Sequence, residues 1–186
     1  MFRRENGTVY GVINDFDLAW MEGRVCKGHK GEWTGTRPFM AISLHLDESQ
    51  TQIPDHIERF DLESILYVMY WDARLSNKVE SRATEKAKET YEEWTGKNDK
   101  SLISEKSRIL HAMNGGYLNE SYLPLYRTWL NPLSDLFAKG YSELFRYRKG
   151  WKAKHRGSMV PVDWELSGFD YYTLGGDVTF KKSGRL

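Results

Sequence analysis

The chain has 186 residues, the size of one domain or of one domain with a tail. Hydrophobic residues make up 40% and charged residues 28%, a balance that excludes a disordered, collagen-like or low-complexity chain. The formal net charge is +1, so the composition requires neither nucleic acid nor an anionic membrane as a partner.

The single cysteine and the apolar pattern indicate the compartment. Cys26 cannot form an intramolecular disulfide, and this favours a reducing environment. No apolar run approaches the roughly 18 residues that a membrane span needs, and the first residues lack the apolar core of a signal peptide. We therefore expect an intracellular globular protein, in the cytoplasm or the nucleus, with no membrane partner.

The first residues predict a β-hairpin. Asn6-Gly7 supplies the positive φ angles of a tight turn between residues 1–4 and 8–13. The second strand leads to Asp15-Phe16-Asp17, and a polar loop with four glycines follows over residues 20–37. Loops of this length inside a compact domain are often functional.

The rest of the chain predicts a mainly α body. Residues 59–75 form the clearest helix and are apolar around nearly the whole circumference, which is typical of a helix at the centre of a domain. Three further helices are predicted from apolar stripes that contain Trp94, Ile109 and Phe137. From Trp151 onward the pattern becomes irregular, with one strand predicted near Asp177–Lys181.

Two carboxylates, Asp15 and Asp17, stand one residue apart at the predicted end of a strand. Oxygen ligands of this kind can hold Mg²⁺, which prefers hard oxygen donors. Acidic residues are also common in turns, so turn formation is the other interpretation. The pair by itself leaves both open.

The motifs around this pair follow one another in a characteristic order. They are DFDLA at 15–19, TGTRPFMA at 34–41, FDLES at 60–64, YEEWTGKNDKSLISEKSRIL at 91–110 and PLSDLF at 132–137. Their order and spacing resemble the fungal-type protein kinase family over residues 1 to about 147. The resemblance implies the large, C-terminal lobe of a protein-kinase-like fold, mainly α, with a short leading hairpin and no N-lobe. It divides the chain into a partial kinase-like domain over 1–147, with an activation segment at 15–45, and an irregular tail over 148–186.

The resemblance also implies roles for single residues. Asp15 matches the Asp that holds Mg²⁺ against the phosphates of ATP, and Asp17 would be a second metal ligand where most protein kinases have Gly. Thr34 and Thr36 would lie in the part of the activation segment that faces the substrate hydroxyl. Asp61 would accept backbone N–H groups of the catalytic loop and so brace it; its other interpretation is an acidic residue in the first turn of a helix.

The implied activity is Mg²⁺- and ATP-dependent phosphoryl transfer to a protein Ser/Thr hydroxyl. The Gly-rich loop, the strand Lys and the H-R-D catalytic loop are not in this sequence. We therefore expect the catalytic residues upstream of Met1, and a truncated fragment that is inactive alone. Two alternatives stay open: a non-catalytic kinase-like interaction module, and a relative of small-molecule phosphotransferases, which Asp17 suggests.

Two positions depart from the family pattern. Ser43 stands where protein kinases have the Glu of the A-P-E motif, which pairs with a buried Arg, and Phe60 stands where His commonly precedes D-L-E-S. Some other contact must dock the activation segment, or it docks loosely.

The expected partners are a protein substrate, or a protein or second copy of the chain that covers an exposed apolar face of the helix at 59–75. The basic stretch at 146–156 contains Tyr147 and Trp151. It can be interpreted as a single-stranded nucleic-acid site or as a solvated helix end. We expect the second, and no nucleic-acid partner.

Overall fold

A computed structural model describes most of the C-terminal two thirds of the chain and a short N-terminal part. The described residues are 2–11, 36–46, 57–75, 94–95, 98–112, 118, 120–161 and 164–179. The chain divides into two compact units, Met1–Thr34 and Gly35–Leu186.

The first unit contains a β-hairpin. Strands β1 (Phe2–Glu5) and β2 (Thr8–Gly11) pair antiparallel, with Glu5 opposite Thr8. The two turn residues, Asn6 and Gly7, have φ of 49° and 79°. Asn and Gly are the residues that adopt positive φ at least cost, which is why this dipeptide closes a two-residue hairpin.

The second unit is predominantly helical. Its long helices are α1 (Glu58–Leu75), α2 (Asp99–Ala112) and α3 (Asn131–Lys154). Two 3₁₀ turns precede α1, at Arg37–Phe39 and Ile42–His45. A 3₁₀ turn, an α-turn and a π-helical turn lead into α3, at Glu120–Tyr122, Leu123–Leu125 and Tyr126–Leu130. The mainly α architecture predicted from the sequence is therefore present, and no described helix is long and apolar enough to cross a membrane.

Helix α1 buries only part of its circumference. Leu66, Tyr67 and Ala73 are fully buried. On the opposite side, exposed residues recur at Asp61, Ile65, Val68 and Asp72, every third or fourth position. Ile65 and Val68 are 48% and 47% exposed. Among the described residues, one face of α1 is therefore accessible, and it carries two apolar side chains.

Helix α3 and the turns that follow it form one packed body. The helix continues to Lys154, so the predicted boundary after residue 147 falls inside it. Residues 171–177 form successive turns and residue 178 a bend, and Tyr171, Leu174 and Val178 are almost completely buried. Positive φ angles at Leu174, Gly175 and Gly176 reverse the chain here. Asp177–Thr179 lies in this turn region and not in the strand expected near it, while residues 180–181 lie outside the described part.

Candidate functional site

Residues 36–46, here called the docked segment, contain most of the TGTRPFMA motif and the end of the predicted activation segment. They form two consecutive 3₁₀ turns that pack against α1 and α2. Pro38, Ala41, Ile42, Ser43 and His45 are buried. The segment is therefore integrated into the second unit through both its backbone and its side chains.

The side chain of Glu63, on α1, binds a backbone N–H group of the docked segment. Its carboxylate Oε1 accepts the N–H of Ile42 at 2.9 Å and the hydroxyl of Tyr67 at 2.7 Å, and the Tyr141 hydroxyl donates to Oε2. Burial raises the pKa of Glu63, opposed by these hydrogen bonds and by the positive charge of Arg59. A buried carboxylate with three donors is an anchor whose hydrogen-bonding capacity is largely used.

Arg59 lies one helical turn before Glu63 and contacts the same segment. Its guanidinium donates to Ser43 Oγ at 3.1 Å, to the Tyr171 carbonyl at 3.0 Å and to the Tyr141 hydroxyl at 3.4 Å. The Phe60 and Tyr171 rings lie 4.7 and 4.8 Å from the guanidinium carbon. Such cation–π contacts favour a partly desolvated Arg. Phe60, where the family has His, thus packs against this buried cation.

These contacts explain how the segment docks without the A-P-E glutamate. Ser43 accepts a hydrogen bond from the buried Arg59, and the Tyr141 hydroxyl links Arg59 to the carboxylate of Glu63. The negative charge therefore comes from α1 instead of position 43. Within residues 36–46, the described part of the predicted activation segment, groups other than a glutamate at position 43 make the docking contacts.

Lys106, on α2, holds the other end of the docked segment. Its amine donates to the Met40 carbonyl and to His45 Nε2 at 3.2 Å, and it lies 4.8 Å from the centre of the Tyr67 ring. The residue is completely buried. Burial lowers the pKa of Lys106 to about 7, because the ammonium form loses its hydration.

His45 connects Lys106 to the surface. Its Nδ1 lies 3.1 Å from Asp99 Oδ1, which also accepts a hydrogen bond from Arg37 at 2.7 Å. Burial, with the nearby charge of Lys106, lowers the pKa of His45 to about 4. The ring is therefore neutral at pH 7. The partners assign the proton to Nδ1, which donates to Asp99, so that Nε2 can accept from Lys106.

An aromatic cluster packs against the first 3₁₀ turn of the docked segment. Phe39 meets the ring of Trp71 edge-on, with centroids 5.8 Å apart, and the centroid of Trp94 lies 5.5 Å from that of Trp71. Tyr67 meets Trp94 edge-on at 5.8 Å. Aromatic pairs at these separations add to the free energy of burial. Phe39 thus fixes the middle of the TGTRPFMA motif against α1.

The predicted site residues fall into two groups. Asp15, Asp17 and Thr34 lie outside the described residues, so their roles stay predictions. Thr36 is exposed and directly precedes the first 3₁₀ turn, and Asp61 is exposed in the first turn of α1. Among the described residues, no group of three or more His, Cys, Asp or Glu side chains could hold a metal ion.

The basic stretch at 146–156 forms the end of α3 and the turn after it. Tyr147 stacks on Phe169 with centroids 5.1 Å apart, and Trp151 stacks on His155 at 4.0 Å. These aromatic rings are engaged within the second unit. The stretch therefore lies at a helix end, and the expectation that it has no nucleic-acid partner stays a prediction.

Arg59, Glu63, Lys106 and Tyr141 were not recognised from the sequence as functional. One signal was available for the first two, because charged residues inside an otherwise apolar helix require buried partners. No sequence signal indicated which partners these would be.

These contacts together hold residues 36–46 against α1 and α2, and Thr36, the first described residue of the segment, is exposed. The family model described as fungal protein kinase matches residues 1–73. The resemblance to that family is therefore confirmed for this part of the chain, which contains the hairpin, the docked segment and most of α1. No curated protein and no solved structure gives a match.

Proposed function

We propose that this chain supplies the substrate side of a protein-kinase-like domain that transfers the γ-phosphoryl group of ATP to a Ser or Thr hydroxyl of a protein. The observation that carries the proposal is the docked segment, which begins within the TGTRPFMA motif inside the fungal protein kinase match. Lys106 anchors it at Met40 of the motif, and Glu63 and Arg59 anchor the two residues that follow the motif, Ile42 and Ser43. Catalysis of phosphoryl transfer depends mainly on positioning and charge stabilisation. A segment that is held in place where it faces the protein substrate would provide such positioning.

In this proposal the two halves of the matched region have different tasks. Asp15, with Asp17 beside it, binds Mg²⁺ and so orients the ATP phosphates. Thr36 lies at the exposed edge of the docked segment and faces the protein substrate. Asp61 braces the catalytic loop. This sequence contains no match to that loop, the Gly-rich loop or the strand Lys, and in this proposal the chain needs them for transfer.

A chimera tests the proposal. The chain is fused behind the N-lobe and catalytic loop of a fungal-type protein kinase, and Mg²⁺-dependent transfer from radiolabelled ATP to a protein mixture is measured. We expect transfer that falls about 100-fold or more in Asp15→Asn, because a charged ligand that stabilises the phosphates is lost. The exposed carboxylate of Asp135 provides the matched control: Asp135→Asn should retain the activity of the parent chimera.

The outcome of the chimera experiment separates the alternatives. A folded chimera whose activity is unchanged in Asp15→Asn would remove Asp15 from the metal site. A folded chimera without any transfer would favour the non-catalytic interaction module, for which the half-exposed Ile65 and Val68 on α1 provide an accessible apolar face. Transfer to small hydroxyl compounds but not to proteins would favour the phosphotransferase relative that Asp17 suggests.

A further inference from the structure

Lys106 occupies an unusual position for a lysine. Its side chain is completely buried, although lysine is almost never fully buried unless its charge is paired. Both of its hydrogen-bond acceptors, the Met40 carbonyl and His45 Nε2, are neutral and belong to the docked segment. The amine therefore sits at the contact between α2 and this segment, where a positive charge is poorly solvated.

Among the described residues, charged and titratable groups on α1, on α2 and in the docked segment lie around Lys106. They are Glu63 and Tyr67 on α1, Arg37 and His45 in the docked segment, and Asp99 on α2. The carboxylates attract the ammonium form and Arg37 repels it, but loss of hydration is the largest effect. The neutral amine is consequently well suited to the docked arrangement, because it still donates hydrogen bonds.

We propose that docking of residues 36–46 is coupled to proton release from Lys106 and, at lower pH, from His45, so that the segment is held more firmly as the pH rises. If the segment moves away, the Lys106 amine meets water and takes up a proton. The two acceptors that it bonds move away with the segment. Opening is thus a proton-binding reaction, whether or not the domain transfers phosphoryl groups.

The direction of the effect follows from proton linkage. In the docked state the pKa of Lys106 is about 7, against an ordinary value of 10.5. Between these values the undocked state binds more protons, so docking strengthens by up to about tenfold per pH unit. The pKa of His45 is about 4 when docked and 6.5 otherwise, so acid weakens docking over that range as well.

Protonation of His45 also reverses a contact. In the neutral ring Nε2 accepts a hydrogen bond from Lys106 at 3.2 Å. In the imidazolium both ring nitrogens are donors, so Nε2–H would point at another donor that carries charge at acidic pH. The Lys106–His45 contact then opposes docking, while Asp99 still attracts the ring. Acidification therefore favours release of the segment at two successive steps.

Hydrogen–deuterium exchange of the full chain tests the proposal. The protection of peptides within residues 36–46 is measured from pH 6 to 9 and corrected for intrinsic exchange rates. We expect protection to rise with pH above 7, approaching about tenfold per unit. In Lys106→Met, which keeps the length but cannot titrate, this slope should disappear. Lys100→Met, at an exposed lysine of the same helix, should keep the wild-type slope.

Two results would overturn the proposal. One is an equal slope in the wild-type chain and in folded Lys106→Met. The other result does not depend on the folding of that variant. It would be an NMR titration of the lysine side-chain carbons in the wild-type chain in which every lysine has a pKa near the ordinary value of about 10.4. A single lysine that titrates near neutrality in the wild type, and is absent from the spectrum of Lys106→Met or of Lys106→Arg, supports it.

Discussion

Two buried charged residues, Arg59 and Glu63, bind the docked segment directly through their side chains. Buried charges are costly unless paired and hydrogen-bonded. Here the guanidinium donates to two hydroxyls and one carbonyl and lies over the Phe60 and Tyr171 rings. The carboxylate accepts from one amide and two hydroxyls. Tyr141 connects the two because its hydroxyl donates to Glu63 and accepts from Arg59. The burial of each of these two charges therefore depends on the other charge and on the Tyr141 hydroxyl between them.

Substitution of Arg59 should expose this dependence. Arg59→Met retains apolar volume but leaves Glu63 without its cation and the Tyr171 carbonyl without its donor, so we expect a loss of about 3–5 kcal/mol in the free energy of unfolding. Urea denaturation followed by circular dichroism measures it. Arg108→Met, which removes an exposed Arg paired with Glu105 on α2, should cost about 1 kcal/mol or less. Equal losses in the two variants would contradict this account.

Helix α3 shows how one element is used differently along its length. Near its middle, Gly140 lies against the turn at Leu174, and a Cβ added there would come within 2.6 Å of the Leu174 Cβ. Near its end, Gly150 is exposed and a Cβ would meet nothing within 4 Å. Glycine lowers helix stability at both places. Only Gly140 leaves room for the turn at Leu174 to pack against the helix.

Alanine at these two glycines should therefore have opposite effects. Gly140→Ala forces Leu174 and its backbone to shift, and we expect it to destabilise the protein by about 1–3 kcal/mol. Gly150→Ala should stabilise it by about 0.5–1 kcal/mol, since alanine is the better helix former. Thermal denaturation of both variants beside the wild type measures the difference. Stabilisation by both would mean that the turn at Leu174 does not pack closely on α3.

Across the second unit, docking brings together residues that are far apart in the chain. Ser43 meets Tyr141 over 98 positions, and Arg59 meets the Tyr171 carbonyl over 112. The segment, α1, α3 and the C-terminal turns therefore share one polar network in the core.

The acid side of the pH profile of stability should depend on His45. Its pKa is about 4 in the folded chain and 6.5 as an ordinary value. Between these values the unfolded chain binds more protons, so stability falls as the pH decreases from 6.5 to 4. Melting temperatures across this range should fall less steeply in His45→Gln than in the wild type. His111→Gln, at an exposed histidine on α2, should follow the wild type, and a wild-type slope in His45→Gln would be evidence against the assignment.

Local features of the fold could be predicted because they depend on neighbours in the sequence. Asn6-Gly7 specifies a turn through its own φ angles, and the apolar pattern of residues 59–75 predicts a helix within one residue of the observed Glu58–Leu75. The kinase-like motifs at 15–19, 34–41 and 60–64 lie within the family match over residues 1–73. The motifs at 91–110 and 132–137 lie outside that match and stay predictions. The extent of α3 was less clear, since its last turns carry mostly charged residues and no apolar stripe.

The sequence by itself therefore determined three things. They are the hairpin turn at Asn6-Gly7, the mainly helical character of the rest of the chain, and the family resemblance over residues 1–73. The tertiary structure alone decided which polar groups hold the docked segment and where α1 stays exposed. The physical reason is distance along the chain. Whether Glu63 or Lys106 is a surface charge or a buried anchor depends on groups such as Ile42, Tyr141 and Met40, which only folding brings within hydrogen-bonding range.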